Sequence, residues 1–169
     1  TELASPLVSV VMGVRNSADS LAGTLASLTE QSGVDFEILV VNDGSSDATG
    51  AILADLAGRD RRLRVITRPS QGLTRSLIDG CALARGTFIA RQDAGGDRSL
   101  PGRLARQVSC LEKHPEASLC STHASLVVPE GATAAVNTVD ETTLDDGLTG
   151  PAYHGSVMMR RSAYEQAGG

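Results

Sequence analysis

The chain of 169 residues has no apolar run close to the ~20 residues that a membrane-crossing helix needs. Its strongly apolar runs, such as LVSVVMGV at 7–14, have only strand length, and the N-terminus lacks a signal-peptide pattern. An excess of positive charge is missing too, since 15 Lys and Arg stand against 20 Asp and Glu for a net charge of -5. Backbone binding to nucleic acid needs a concentrated basic surface, so nucleic acid is excluded as a main partner. A small anionic ligand is not, because a few local arginines suffice. Cysteine is scarce: Cys81, Cys110 and Cys120 are odd in number, widely spaced and set in apolar contexts. That pattern suits reduced, buried thiols in a cytoplasm and gives no metal-ligand spacing. No internal repeat is present, and the balance of 41% hydrophobic to 21% charged residues is that of one soluble globular domain over 1–169.

What is there is a regular alternation. Residues 7–14 form a β-branched run that ends at Arg15-Asn16, where turn chemistry takes over. Residues 18–31 carry Leu21, Leu25 and Leu28 at helical spacing, with Ser32-Gly33 as the stop. The strand 36–41, FEILVV, breaks into Asn42-Asp43-Gly44-Ser45-Ser46-Asp47. Those residues form turns and cap helices, so they deliver backbone N–H groups and short polar side chains above the strand's end. Ile52, Leu53 and Leu56 give the next helix its buried stripe, and 63–67 is a short third strand. The arginines before it, Arg59, Arg61, Arg62 and Arg64, read as a solvated helix end. The spacing then predicts a helix over 72–85 with Leu73, Leu77 and Cys81 on one face, stopped by Gly86, and a fourth strand over 87–91. Pro101 starts a helix aligned on Leu104, Val108 and Leu111 that ends near His114-Pro115. A strand is expected within 117–128, a long connection over 129–150, a strand over 153–159 and a short helix from Ser162.

Four strand–helix alternations in the first hundred residues call for an α/β fold, a mostly parallel sheet flanked by helices on both faces. Ligands in such sheets bind at the carboxyl ends of the strands. Those ends, Arg15-Asn16, Asn42-Asp43, Arg68 and Asp93, should therefore converge in space. The last opens a loop, FIARQDAGGDRSLPGRL at 88–104, in which Asp93 and Asp97 flank Gly95 and Gly96. An acidic pair placed there suits a divalent cation and a phosphorylated ligand. It equally suits a turn and a helix cap.

Four segments in order carry a resemblance: VSVVMGVRN, EILVVNDGSSDAT, QGLTRSLIDGCALARGTFIARQDAGGD with RSLPGRLARQV, and HGSVMMRRSAYEQAGG. Together they resemble the nucleotide-sugar-binding part of family 2, GT-A fold inverting glycosyltransferases, over almost the whole chain. A dinucleotide-binding domain fits worse, because no Gly-x-Gly-x-x-Gly follows the first strand. A nucleotidyltransferase fits worse as well, lacking its phosphate-cradling glycine and arginine loop. The resemblance implies that Gly13, Arg15 and Asn16 wall the base pocket and that Asp43 accepts a hydrogen bond from the base. An Asx-turn is the alternative role for Asp43. It implies that Arg68 and Arg75 face base and diphosphate, a role for which a guanidinium's paired donors are suited; a surface position is the alternative for each. Asp93 matches the first acid of an Asp-X-Asp motif, with Mn2+ or Mg2+ bridging it and the diphosphate of a UDP-sugar. His154 matches an acceptor-side position, with a packing residue as the alternative, and the acceptor is a saccharide or other hydroxyl compound. Similar enzymes often build polysaccharide in bacteria at the inner face of a membrane.

Three departures qualify the expectation. Where the family reads Pro-x-Tyr-Asn, this chain has Gly13-Val14-Arg15-Asn16, which removes an aromatic stacking surface that an arginine plane only partly replaces. Asp-Ala-Asp-Asp becomes Asp-Ala-Gly-Gly-Asp, one residue longer, so glycine stands where the second acid should be and Asp97 is the candidate to reach in its place. The family's catalytic base, a carboxylate that deprotonates the acceptor, has no match before Gly169. The chain is thus expected to be a truncated enzyme portion or, alternatively, a degenerate transferase domain kept for binding or assembly.

Overall fold

The computed structural model describes residues 5–122 and 154–169. Six strands form one sheet in the order β3-β2-β1-β4-β6-β5: β1 Val8–Val14, β2 Phe36–Asp43, β3 Leu63–Arg68, β4 Phe88–Arg91, β5 Leu119–Cys120 and β6 Met158–Arg160. The first four run parallel, while β6 is antiparallel to both β4 and β5. The helices are α1 Ala18–Thr29, α2 Thr49–Arg59, α3 Leu73–Ala82, α4 Arg103–Lys113 and α5 Arg161–Gln166. Among the described residues, no helix is long and apolar enough to cross a membrane.

Strand alternation sorts the core onto the two faces of this sheet. Val8, Val10, Met12 and Val14 of β1, with Phe36, Ile38 and Val40 of β2, meet Leu21, Leu25 and Leu28 of α1, Leu53 of α2 and Leu104, Val108 and Leu111 of α4. The other face carries Val11, Leu39 and Ile89, which pack with Cys81 and Ala84 and with the partly buried Leu77 and Tyr164. The first two strands are apolar almost throughout because helices cover both their faces.

Three expectations are revised, and the strand expected within 117–128 is found. Leu73 does not lie on the buried face of α3; it is 49% exposed, and the helix buries Ser76, Asp79, Gly80 and Cys81 instead. Small residues there let α3 lie close over β1 and β2, which turns Leu73 outward. The C-terminal strand starts late: His154–Ser156 is a 3-10 turn, and pairing begins at Met158. Its register, Phe88↔Arg160 and Ala90↔Met158, is limited by the four residues that β4 offers; residue 153 lies outside the described residues. The strand within 117–128 is Leu119–Cys120, and 123–128, like the connection 129–150, falls outside the described residues. The arginine cluster is not uniformly solvated. Arg59 pairs with Asp55 in water, but Arg62 binds Asp60 and lies 4.6 Å over the Phe36 ring, and Arg64 reaches Glu37.

Glu37 is the buried ionic centre of the edge opposite the strands' carboxyl ends. Its Oε1 accepts from Ser9 Oγ at 2.8 Å, and its Oε2 from Arg85 Nη2 at 2.7 Å and Arg64 Nη1 at 2.9 Å. Burial acts to raise its pKa, but the hydrogen bonds from Arg85, Ser9 and Arg64 outweigh that and hold it below the ordinary 4.5. Such a group stabilises the fold above its unfolded pKa and loses that contribution as pH falls through the lower, folded value. Glu37→Gln should cost about 2 kcal/mol in urea unfolding at neutral pH, less than a fully buried pair because both arginines reach water. It should also flatten the loss of stability that the unaltered protein shows below pH 4.5.

Candidate functional site

Parallel pairing brings the ends of β1, β2, β3 and β4 to one edge, with Val14 opposite Asn42 and Asp43 opposite Arg68. At this edge the first loops are tied to each other. Asn16 takes a positive φ of 48°; its Oδ1 accepts from the Ser46 N–H at 2.9 Å and its own N–H donates to Ser45 Oγ at 3.0 Å. Asp47 accepts from the N–H groups of Thr49 and Ala18, and bonds led by the Thr49 hydroxyl hold its carboxyl below the usual range. Gly13 allows α3 to close on β1, since a β-carbon there would lie 2.8 Å from Leu73 Cδ1 and 3.2 Å from Ser76 Cβ. Arg15 is exposed.

Asp43 is 4% exposed and both its oxygens are engaged. Oδ1 accepts from the Gln71 N–H at 2.7 Å, and Oδ2 from the Gly72 N–H at 3.0 Å and Ser70 Oγ at 3.2 Å. The Gln71 bond, seconded by Gly72 and Ser70 and by the charge of Arg15, keeps its carboxyl below the usual range. Asp43 therefore fixes the approach to α3 from a distance in sequence, which is not an Asx-turn, since that would bond its own loop. Arg68 and Arg75 are brought together by a residue that sequence reasoning missed. The Asp79 carboxylate, 8% exposed, lies 3.2 Å from each Nε, while the two arginine side chains are 40% and 57% exposed. The only signal was the i,i+4 spacing of Arg75 and Asp79 on α3.

Beyond β4 the chain turns through the acidic loop. Arg91 closes the strand with its side chain buried; its guanidinium lies on the Asp93 carboxylate and against the His154 imidazole. The loop turns through Gly95–Gly96, with Gly96 at φ 100°, and Ser20 Oγ of α1 pins it by donating to the Ala94 carbonyl at 2.8 Å. Asp97 comes beside Asp93: a β-carbon placed on Gly155 would stand 2.9 Å from Asp93 Oδ2 and 3.1 Å from Asp97 Oδ2. Two carboxylate oxygens thus face one point, with His154 next to it in sequence. Below the loop run the buried polar side chains Gln92, Ser99, Arg103 and Gln107. Arg91 and Gln92 close an apolar strand and carry no local signal of a site; Arg103 and Gln107 lie on a leucine-patterned helix, where their i,i+4 spacing beside Leu104 and Val108 is the readable sign.

Among the described residues, no group of three or more His, Cys, Asp or Glu is placed to hold a metal by itself. Two facing carboxylate oxygens suit an ion such as Mg2+ or Mn2+ that takes its other ligands from water and phosphate. The donor set at Asp93 and Asp97 fits an ion shared with a phosphorylated ligand.

The family model described as Glycosyl transferase family 2 matches residues 9–168. The putative glycosyltransferase EpsE of Bacillus subtilis is 36% identical over 165 residues, covering 94% of this chain and 58% of that protein. Chondroitin synthase of Pasteurella multocida is 30% identical over 89 residues, 53% of this chain and 9% of that one. In shape, the chain superposes on S. aureus TarS 1-349 in complex with UDP-GlcNAc with a TM-score of 0.78 at 20% identity, covering 95% of this chain and 47% of TarS. The mannosyltransferase PcManGT of Pyrobaculum calidifontis, in complex with GDP-Man and Mn2+, gives 0.60 at 23% identity over 70% of this chain and 36% of its own. The fold is that of GT-A glycosyltransferases, and the chain spans little more than half the length of the curated relative it matches most fully.

The Asp43 carboxylate supplies the acceptor for two consecutive backbone N–H groups. Asp43→Ala should therefore speed amide exchange at Gln71 and Gly72 by about tenfold or more, while the β1 and β2 amides keep their protection in the same hydrogen-exchange measurement.

Proposed function

The chain belongs to glycosyltransferase family 2, and on that premise we propose that it binds a nucleoside-diphosphate sugar, a UDP-sugar, for transfer with inversion to an acceptor hydroxyl. The observation that carries this reading is the acidic corner, where Asp93 Oδ2 and Asp97 Oδ2 face one point at the carboxyl edge of a parallel sheet. Asp43, Arg68 and Arg75 occupy the strand ends and helix start further along the same edge. The donor class is supported by the fold shared with proteins described in complex with UDP-GlcNAc and with GDP-Man and Mn2+.

In this reading the base lies against the Gly13–Asn16 end of β1 and the loop that Asp43 holds. Arg68 and Arg75, set by Asp79, offer their outer N–H groups to the diphosphate. Asp93 and Asp97 would hold a divalent ion, which when bound would offset the charge that collects on the departing nucleoside diphosphate. About 1.4 kcal/mol of such stabilisation is worth tenfold in rate. Arg91 touches both Asp93 and His154, and in this reading the acceptor enters over the His154 turn. Three free cysteines support work in the cytoplasm or against the inner face of a membrane. A non-catalytic binding role is favoured by one feature, the Arg91 cation already seated on an Asp93 oxygen.

Calorimetric titration of the full-length protein with UDP, GDP and their sugars should give UDP-sugar binding that Mn2+ tightens about tenfold or more. Asp93→Ala should remove the metal-dependent part. No binding across the panel would overturn the reading, and binding without turnover of any hydroxyl acceptor would favour the binding role. Gly155→Ala places a methyl group between the two acidic oxygens and should abolish the Mn2+ effect as fully as Asp93→Ala does, with metal-free UDP affinity unchanged.

A further inference from the structure

Beneath the acidic corner lies a polar network to which the transfer reading gives no part. Arg103, in the first turn of α4, is 7% exposed. Its Nη1 donates to Gln92 Oε1 and to Ser99 Oγ, each at 2.9 Å. Nη2 donates to the Arg91 carbonyl at 2.7 Å, and Nε to Gln107 Oε1 at 3.1 Å. Gln107 passes the connection on, because its Nε2 donates to the Ser156 carbonyl at 2.8 Å. Gln92 passes it in the other direction, its Nε2 donating to the carbonyls of Asp93 and Asp97 at 3.3 Å.

Each of these acceptors is neutral. Burial consequently pushes the Arg103 guanidinium down to about 10, with Asp97 pulling the other way. A buried cation without a bonded counter-ion is costly, and an apolar side chain of similar volume would serve a plain core at least as well. What an apolar residue lacks is the fork. The guanidinium's donors point in fixed directions to separate stretches of chain: the end of β4, the far part of the loop at Ser99, and Gln107 one turn along α4. Through Gln107 the fourth stretch, the turn His154–Ser156, is joined as well.

We infer that Arg103 is a positioning residue for the acidic corner: it holds the Arg91–Gln92 strand end and, through Gln107, the His154–Ser156 turn at the separation that brings the Asp93 and Asp97 carboxylates together over Gly155. The inference rests on the metal reading above. The two carboxylates leave β4 on a glycine-loosened loop, and Gly155 arrives from a segment more than fifty residues away in sequence. Backbone pairing of β4 with β6, extended by the Arg91 N–H bond to the Val157 carbonyl at 2.7 Å, brings the two halves side by side; the Arg103 fork adds side-chain bonds that reach both. Lysine has one nitrogen and cannot reach all of these acceptors.

The test uses the full-length protein that contains this chain, titrated with UDP in the presence and absence of Mn2+. The probe is the ratio of the two affinities. Arg103→Lys should reduce that ratio about tenfold or more and leave metal-free UDP affinity within about twofold, because Asp43, Arg68 and Arg75 lie on other elements. Gln107→Glu guards against simple unfolding. It gives Arg103 a carboxylate partner but replaces the donor to the Ser156 carbonyl with an acceptor, so the folded variant should show the same reduced ratio. A network that is only structural would lower the melting temperature and leave the ratio intact. A ratio retained in both variants overturns the inference. If the unaltered protein itself shows no Mn2+ effect, the metal reading fails, and this inference fails with it.

Discussion

The parallel pairing of β1 with β2 on one side and β4 on the other is the constraint on which the remaining structure depends. Seven residues of β1 meet β2 in unbroken register and four meet β4. Parallel strands must each be followed by a return crossover, so every strand end at one edge opens into a loop and every loop leads to a helix. Core and site are therefore consequences of one arrangement. The apolar faces of β1 and β2 recruit α1, α2 and α4 to one side and α3 to the other, and the polar strand ends collect where no helix covers them.

The two halves of that edge use charge in opposite ways. On the β2–β3 half, carboxylates hold donors in place: Asp43 takes the 70–72 backbone, and Asp79 takes two arginines. Their oxygens are spent on structure, and the groups left facing solvent are guanidinium. On the β4 half, the carboxylates face outward and a guanidinium, Arg91, lies behind them. A diphosphate is anionic along its length and needs cations at both ends. The first half offers arginine directly; the second offers acids that suit a divalent ion.

Buried Arg103 belongs to the same logic. It remains protonated at neutral pH even when burial brings it down to about 10, so a fixed positive charge lies beneath the loop that carries Asp97. The neighbouring thiol of Cys120, pushed up to about 12 chiefly by burial, stays neutral and adds no counter-charge. A core that tolerates such a cation gives up stability for a fixed geometry.

Much of this was legible in the chain because two periodicities, 2 in the strands and 3.6 in α1 and α4, follow from local backbone geometry. Leu21, Leu25 and Leu28, the apolar β1 and β2, and the leucine stripe of α4 needed no tertiary information, although α4 begins at Arg103 after a left-handed Gly102 and not at Pro101. Where a helix presents small residues to a sheet the pattern misleads, and α3 turned Leu73 outward for that reason. Local turn chemistry likewise announced loops at Asn16, Asp43 and Asp93. It could not say which oxygens would be spent on other segments, and both oxygens of Asp43 are engaged by residues 70–72. Asp79, Arg91, Gln92, Arg103, Gln107 and Gly155 carry no local signature strong enough to single them out, because their partners stand on other elements. The sequence by itself thus determined the alternation, the parallel sheet and the edge at which polar residues gather, all set by contacts between near neighbours in the chain. Only the tertiary structure decided that Asp97 and Asp93 both stand against Gly155 of the C-terminal turn, since that meeting depends on strand pairing and hydrogen bonds between segments that the chain keeps far apart.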